Sequence, residues 1–297
     1  MNVAMEIIQA ALIIILSPLI AGIIKKTKAC LQNRRGSSIF QPYNDLAKLF
    51  AKDSVVSPTV SWIFRIAPYM YFAGAFAAAV IIGFSGSASP FADVLLLIYM
   101  LAIGRFFLAL ASLDAGSAFG GMGGSREMYI AVLVEPALLL ALMTVAMRAG
   151  TTALPAMNAA AAGSPLSLPY ILAAIAFFVV TIAEVGRVPV DNPDTHLELT
   201  MIHEGMVLEY SGRPLGLILL ASMTKQLIVL LLFVNFFIPW EIPGGNLIQI
   251  AWFAGKLIAA AMLLAAIETS TNKMRLFRLP GFLAVSCLLS LLALVAQ

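Results

Sequence analysis

Five ionisable side chains lie inside long apolar stretches of this 297-residue sequence, namely Arg105, Glu135, Glu184, Lys225 and Lys256. At the centre of a bilayer such a residue costs roughly 2.5 to 3.5 kcal/mol on insertion scales, so each one needs a partner or a function. Two interpretations remain open. The carboxylates can neutralise the cations and hold a helix bundle together. Alternatively, these groups can exchange protons, because buried acids and amines are readily tuned for proton transfer.

The composition indicates that lipid surrounds most of the chain. Hydrophobic residues make up 61%, charged residues only 11%, and the mean hydropathy is +0.98. A helix needs roughly 20 apolar residues to cross the hydrocarbon. About eight segments qualify: 3–24, 62–84, 91–113, 128–149, 169–186, 215–238, 248–268 and 280–296. We therefore predict an all-α polytopic membrane protein, a single integral domain over residues 1–297, with soluble chemistry left to partner polypeptides and no nucleic-acid partner.

Lysine and arginine are distributed very unequally between the two sides of this eight-helix arrangement. One side holds only Arg148. The other holds Lys25, Lys26, Lys28, Arg34, Arg35, Lys48, Lys52, Arg65, Arg126, Arg187, Arg213, Lys273, Arg275 and Arg278. Because cytoplasmic loops collect basic residues, the pattern predicts cytoplasmic loops at about 25–61, 114–127, 187–214 and 269–279. Both termini are then periplasmic, and the expected location of the chain is the inner membrane of a bacterium.

Two of the inner loops have distinctive patterns. Residues 42–52 place Leu46, Leu49 and Phe50 on one helical face, which predicts an amphipathic helix at the interface, held by lipid or by a soluble partner. Residues 114–127 are rich in glycine but follow a membrane helix rather than a strand, so we do not expect a nucleotide site. Close backbone packing against another subunit is the favoured interpretation.

The loop 187–213 holds five carboxylates and both histidines of the chain. His196 and His203 can share a helical face, but they lack a clear third ligand, so we predict no metal site. Apolar residues alternate with the acidic ones and predict a segment partly buried against protein. Cys30 and Cys287 lie far apart in the sequence, which argues against an iron–sulfur or zinc site in this chain.

Several motifs resemble one known family across nearly the whole length. They are Gln41-Pro42 with Asp45-Leu46-Lys48-Leu49-Phe50, the Arg126 segment leading to Glu135, Ala183-Glu184-x-x-Arg187-x-Pro189-x-Asp191-x-Pro193, Glu209-Tyr210-Ser211-Gly212, and Lys273-Met274-Arg275-Leu276. Together they resemble subunit 1 of respiratory complex I, which anchors the hydrophilic arm, and its homologues in membrane-bound hydrogenases. The run from Asp191 to Glu204 is similar to the hydrogenase branch, as in formate hydrogenlyase and hydrogenase-4-type complexes.

The resemblance implies a non-catalytic coupling subunit without a redox cofactor of its own. The implied partners are the nickel–iron large subunit, the small subunit, an iron–sulfur subunit and antiporter-like membrane subunits, and these would carry the nickel–iron site and the clusters. Glu135 and Glu184 become candidates for a proton path, together with Arg105, Lys225 and Lys256 at membrane depth. Candidates for docking the redox arm and linking it to that path are Arg126, Glu127, Arg187, Asp191, Asp194, His196, Glu198, His203, Glu204, Glu209 and Arg213.

Two rival functions can be stated. Within the same superfamily, the chain could be the quinone-site subunit of a complex I. A free-standing secondary transporter would also explain charged spans, but such folds usually contain two related halves, and no convincing internal repeat is present in this sequence.

Overall fold

The chain is represented by a computed structural model that describes residues 3–83, 92–163, 167–192, 201–243 and 245–296. Asp194, His196 and Glu198 lie outside the described residues. Eleven α-helices are found in the described ranges: α1 Val3–Leu31, α2 Gln41–Ala51, α3 Trp62–Ile82, α4 Val94–Asp114, α5 Ala118–Ala149, α6 Leu154–Ala162, α7 Leu168–Glu184, α8 His203–Val207, α9 Gly212–Phe237, α10 Asn246–Ser270 and α11 Leu279–Val295. These ranges contain no named strand, which confirms the all-α prediction.

Eight of these helices correspond to the predicted membrane spans. Seven are long and apolar enough to cross a bilayer, namely α1, α3, α4, α5, α9, α10 and the helix that includes α11. The eighth, α7, has 17 residues. At 1.5 Å per residue it extends roughly 26 Å, slightly less than the hydrocarbon thickness. The prediction of a polytopic membrane protein is confirmed.

Polar contacts gather the predicted inner loops at one end of the bundle. The Ser61 amide donates a hydrogen bond of 2.8 Å to the Asp114 carboxylate and joins the start of α3 to the end of α4. Lys28 Nζ lies 2.8 Å from Glu268 Oε1 and joins α1 to the end of α10. The loops that carry most of the basic residues therefore share one face of the bundle, which we call the inner face.

The opposite end of the bundle has its own hydrogen bonds. Thr152 donates to the Asp93 carboxylate at 2.5 Å, and the Leu154 amide donates to the Ala92 carbonyl at 2.8 Å. Arg148 Nη1 lies 3.2 Å from Ser167 Oγ. The residues just before α4, those between α5 and α6, and Ser167 just before α7 therefore lie together, away from the inner face.

The glycine-rich segment is helical for most of its length. α5 begins at Ala118, inside the predicted loop 114–127. A Cβ atom added to Gly123 would lie 3.0 Å from the carbonyl carbon of Gly205, so α5 and α8 pack backbone to backbone. Close packing is thus present within the chain, against α8, and the packing of this segment against another subunit stays a prediction.

The predicted amphipathic helix is α2, and its apolar face contacts α1 and α9. Leu46 is buried, and the Leu49 and Phe50 side chains approach Gly216 near the start of α9. The Tyr43 hydroxyl donates to the Ile15 carbonyl at 2.5 Å. The apolar face of α2 is therefore partly covered by other helices of the same chain.

Candidate functional site

Arg105 lies at the centre of a group of buried charges. α4 carries it into the bundle, where only 5% of its surface is exposed. Its Nε lies 3.8 Å from Glu127 Oε1 and its Nη1 lies 3.3 Å from Glu135 Oε1, both on α5. Its Nη2 pairs with Glu184 Oε1 at the end of α7. Glu127 and Glu135 are separated by roughly two helical turns, which places both carboxylates on the face of α5 that meets α4.

Lys225 completes this group from α9. Its Nζ lies 2.8 Å from Glu184 Oε1, the same oxygen that pairs with Arg105. The other oxygen, Glu184 Oε2, is buried and has no hydrogen-bond partner. We call Arg105, Glu127, Glu135, Glu184 and Lys225 the Arg105 cluster. The five residues come from the four helices α4, α5, α7 and α9, so the cluster forms only when these helices pack together.

The charges of the Arg105 cluster do not balance. With every group ionised, three carboxylates and two cations leave one excess negative charge. Excess charge is unfavourable in a low-dielectric interior, and one added proton would remove it. Glu184 Oε2 is a buried acceptor without a hydrogen-bond partner, whereas the Glu135 side chain is 34% exposed. The arrangement therefore concentrates titratable groups of both charges in one place.

A small cavity of about 10 Å³ adjoins the cluster. It is lined by Tyr71, Glu127, Glu184, Val185, Gly186, His203, Ser222 and Lys225. The residues come from α3, α5, α7, α8 and α9 and from the start of the loop that follows α7. The cavity therefore lies between the buried charges and the inner-face segment that contains His203.

A second buried network is centred on Glu268, which is 4% exposed. Its Oε1 lies 2.8 Å from Lys28 Nζ and 3.8 Å from Arg187 Nη1. Arg187 Nη2 donates to Gln226 Oε1 at 2.9 Å. We call these four residues the Glu268 network. Gln226 follows Lys225 on α9, so the two groups of buried polar residues occupy adjacent positions of one helix.

Sequence reasoning missed Glu268, Lys28 and Gln226 as site residues. Glu268 falls at the junction between an apolar span and the predicted basic turn 269–279, where a charged residue is expected to reach water. The sequence did contain a usable signal, because Glu268 directly follows an uninterrupted apolar run and is not part of an amphipathic pattern. Lys28 offers no such signal among the exposed lysines around it.

Asp191 is also enclosed by the chain. It is 3% exposed, and its carboxylate accepts hydrogen bonds from Lys273 Nζ at 2.8 Å and from the His203 amide at 3.1 Å. The Met274 amide donates to the Pro189 carbonyl at 2.8 Å. The segment after α7 is therefore tied to the turn before α11. For the described residues 187–192 and 201–213, this agrees with the predicted partial burial of the loop.

The remaining docking candidates have different environments. Arg126 is half-buried and donates to the Met201 carbonyl at 3.1 Å. Glu204 is half-buried, whereas Glu209 and Arg213 are exposed on the inner face. Glu209 lines a larger cavity of about 230 Å³. These four residues are positioned where another protein can reach at least part of each side chain.

Lys256 lies apart from both groups. Its Nζ donates to the carbonyl of Ile238 at 2.9 Å and to the carbonyl of Trp240 at 3.2 Å, just after α9. These carbonyls belong to the connection between α9 and α10, at the end of the bundle away from the inner face. The lysine satisfies backbone acceptors that the end of a helix leaves without partners.

Comparisons with known proteins agree with this architecture. The family model described as NADH dehydrogenase matches residues 3–297. Formate hydrogenlyase subunit 4 of Escherichia coli K12 is 36% identical over 286 residues, covering 93% of this chain and 92% of the relative. Hydrogenase-4 component C of the same organism is 37% identical over 236 residues, covering 78% and 74%.

A solved structure shares the fold. A chain of the membrane-bound sulfane sulfur reductase, described as an archaeal respiratory membrane complex, aligns with a TM-score of 0.80 at 22% identity. The alignment covers 98% of this chain and 99% of that chain. Because the identity is low, this match supports the fold alone. From the family match and the two bacterial relatives, the chain belongs to the NADH dehydrogenase family, in the branch that contains the formate hydrogenlyase and hydrogenase-4 membrane subunits.

Proposed function

We propose that this chain is the membrane-anchoring and coupling subunit of an energy-converting, membrane-bound nickel–iron hydrogenase similar to formate hydrogenlyase. It docks the hydrophilic redox arm and links electron transfer there to proton movement in the membrane. The names of the two bacterial relatives support the hydrogenase assignment. The observation that carries the coupling role is Glu184, a buried carboxylate that shares one oxygen between two cations and leaves the other without a partner.

The position of Glu184 suggests how coupling can work. It ends α7, and the segment that follows contains Arg187 and Asp191 near the inner face. A unit charge added about 10 Å away changes the energy of an ionised group by roughly 1.7 kcal/mol at an effective dielectric constant of 20. That energy changes proton occupancy by more than about tenfold. A change of charge in a docked redox subunit can therefore load or unload the Arg105 cluster.

The inner face provides the residues that would contact the partner subunits. The half-buried or exposed residues Arg126, Glu204, Glu209 and Arg213 are the candidates for contacting the large and small hydrogenase subunits. The nickel–iron site and the iron–sulfur clusters belong to those subunits and to an iron–sulfur subunit. Antiporter-like subunits are proposed beside this chain in the bacterial inner membrane, with the inner face towards the cytoplasm.

Glu184→Gln in the complete complex tests the coupling role. The complex is reconstituted in vesicles with reduced viologen as the electron donor, and hydrogen evolution and proton movement are measured together. We expect hydrogen evolution to continue while the number of protons moved per hydrogen molecule falls. Glu241→Gln is the matched control, since Glu241 is exposed at the opposite end of the bundle. Unchanged coupling in Glu184→Gln would refute the proposal.

The family description favours one alternative, the quinone-site subunit of a complex I. Lipid extraction and quinone analysis of the purified complex separate the two functions. Quinone at about one molecule per complex would favour the alternative, and its absence would favour the hydrogenase. A free-standing transporter is disfavoured, because both bacterial relatives are described as a subunit or component of a larger complex.

A further inference from the structure

His203 is held in a defined position at the start of α8. Its backbone amide donates to Asp191 Oδ2 at 3.1 Å, and Asp191 is itself paired with Lys273. Gly205, two residues further on, packs against Gly123 of α5. The helix that carries the imidazole is therefore anchored on both sides.

His203 lines the small cavity beside the Arg105 cluster, together with Glu184 and Lys225. The cavity volume of about 10 Å³ is close to the minimum of roughly 10 to 15 Å³ that a water molecule requires. A buried water also needs two to four polar partners, and this wall provides more than that number of polar side chains. Glu184 is among these lining residues, and its Oε2 is buried and has no hydrogen-bond partner.

His203 differs from the other polar groups of the cavity wall. Lys225 is paired with Glu184, and Glu127 lies within 3.8 Å of Arg105. The hydroxyl groups of Tyr71 on α3 and Ser222 on α9 do not ionise near neutral pH. An imidazole gains and loses a proton in that range. His203 is also half-buried rather than enclosed, so it lies between the buried cluster and the inner face.

We propose that one water molecule in this cavity joins His203 to Glu184, and that His203 passes protons between the inner face and the Arg105 cluster. The imidazolium gives an N–H proton to the water oxygen, and the water gives one of its own protons to Glu184 Oε2. The imidazole becomes neutral and then takes a proton from the inner-face solution. One proton is moved in each cycle, and no group is oxidised or reduced. This inference rests on the proposed coupling function.

Two substitutions of His203 test the inference in the reconstituted complex. His203→Gln keeps a polar side chain that cannot titrate, and His203→Ala leaves space for imidazole added to the buffer. A positioned proton-transfer group contributes typically 10² to 10⁴ in rate, so we expect proton movement per hydrogen evolved to fall by about tenfold or more in both variants. Imidazole should restore the alanine variant and leave the glutamine variant unchanged.

The pH profile gives a second readout. Wild-type coupling should depend on pH, and this dependence should weaken in His203→Gln, which cannot exchange a proton at this position. Ser125→Ala is the control, because the Ser125 hydroxyl bonds within its own helix, to the Met122 carbonyl at 3.0 Å. Co-purification of the soluble subunits establishes assembly for each variant, and the glutamine variant alone suffices if the alanine variant does not assemble.

The outcomes separate this inference from the proposed function. If both His203 variants keep wild-type coupling at every pH while Glu184→Gln loses it, the role of His203 is refuted and the coupling function stands. If Glu184→Gln also keeps coupling, the coupling function itself fails. Loss of coupling in both His203 variants without rescue by imidazole would indicate a purely structural histidine and would also overturn the inference.

Discussion

Glu184 and Arg105 form a buried ion pair between α7 and α4, although 79 positions separate them in the sequence. The side chains of the pair are 3% and 6% exposed. Lys225 joins the same carboxylate oxygen from a third helix. Together, the three residues fix the packing of α4, α7 and α9. They also bring titratable groups to one depth in the bundle.

Removal of the Arg105 charge should destabilise the bundle. Arg105→Met leaves three carboxylates with only Lys225, and breaking a buried ion pair typically costs about 3 to 5 kcal/mol. We expect a lower Tm of the purified complex and less of the chain in the membrane. Arg105→Lys should be milder, because it keeps the charge but cannot reach several carboxylates at once. The control is Arg65→Met at an exposed position, and equal loss in the two methionine variants would contradict the prediction.

The stability of the protein should depend on the charge balance of the Glu268 network. Glu268→Gln leaves Lys28 and Arg187 without their shared carboxylate, and we expect a loss on the order of 3 kcal/mol in the free energy of unfolding. The additional change Lys28→Met removes one of the two cations and should recover part of that loss. A double-mutant cycle on Tm or denaturant midpoints measures the coupling, and additive effects would show that the pair does not interact.

Lys256 and Lys225 should behave differently although both lie in membrane helices. Lys256→Met removes hydrogen bonds to two backbone carbonyls, so hydrogen exchange should rise in the connection between α9 and α10 while proton coupling stays at the wild-type level. Lys225→Met removes a cation from the Arg105 cluster and should lower proton coupling. Loss of coupling in Lys256→Met would place this lysine in the proton path after all.

The glycine contact between α5 and α8 should not tolerate a methyl group. Gly123→Ala places a Cβ atom 3.0 Å from backbone atoms of Gly205 and Met206, and overpacking of this kind costs typically 1 to 3 kcal/mol. We expect α8 to shift, with faster hydrogen exchange over 203–207 and weaker coupling. Gly121→Ala is a close match in sequence, yet nothing lies within 4 Å of its added Cβ, so it should resemble wild type. Similar exchange in the two variants would refute the packing argument.

Much of the architecture was predictable because lipid imposes a simple rule on the sequence. A span needs a long apolar run, and such runs identified the eight membrane helices, whereas the amphipathic pattern of residues 42–52 identified α2. The start of α5 was predicted too late, because glycine lowers hydropathy and favours loops when it is considered locally. In the fold, the contact between Gly123 and Gly205 requires small residues within a helix.

The composition of the candidate site was predicted in part. Arg105, Glu135, Glu184 and Lys225 were identified because a charge within an apolar run is conspicuous. Pairing of these carboxylates with these cations was one of the two interpretations left open, but which groups pair could not be predicted, since no spacing rule connects residues of α5 and α7 to Arg105 on α4. Glu268 was missed because it stands where an apolar run meets a polar turn, a place where a charged residue is expected to reach water.

By itself, the sequence determined that this chain is a bundle of apolar helices with a few charges at membrane depth and a basic inner side, because both properties depend on local composition. Only the tertiary structure decided which charges meet. It separated Lys256 from Lys225, left Glu184 Oε2 without a partner, and brought His203 to the same cavity. These relationships depend on how the helices pack across the bundle. Side-chain shape and ion pairing between residues far apart in the sequence determine that packing, so a local sequence pattern does not reveal it.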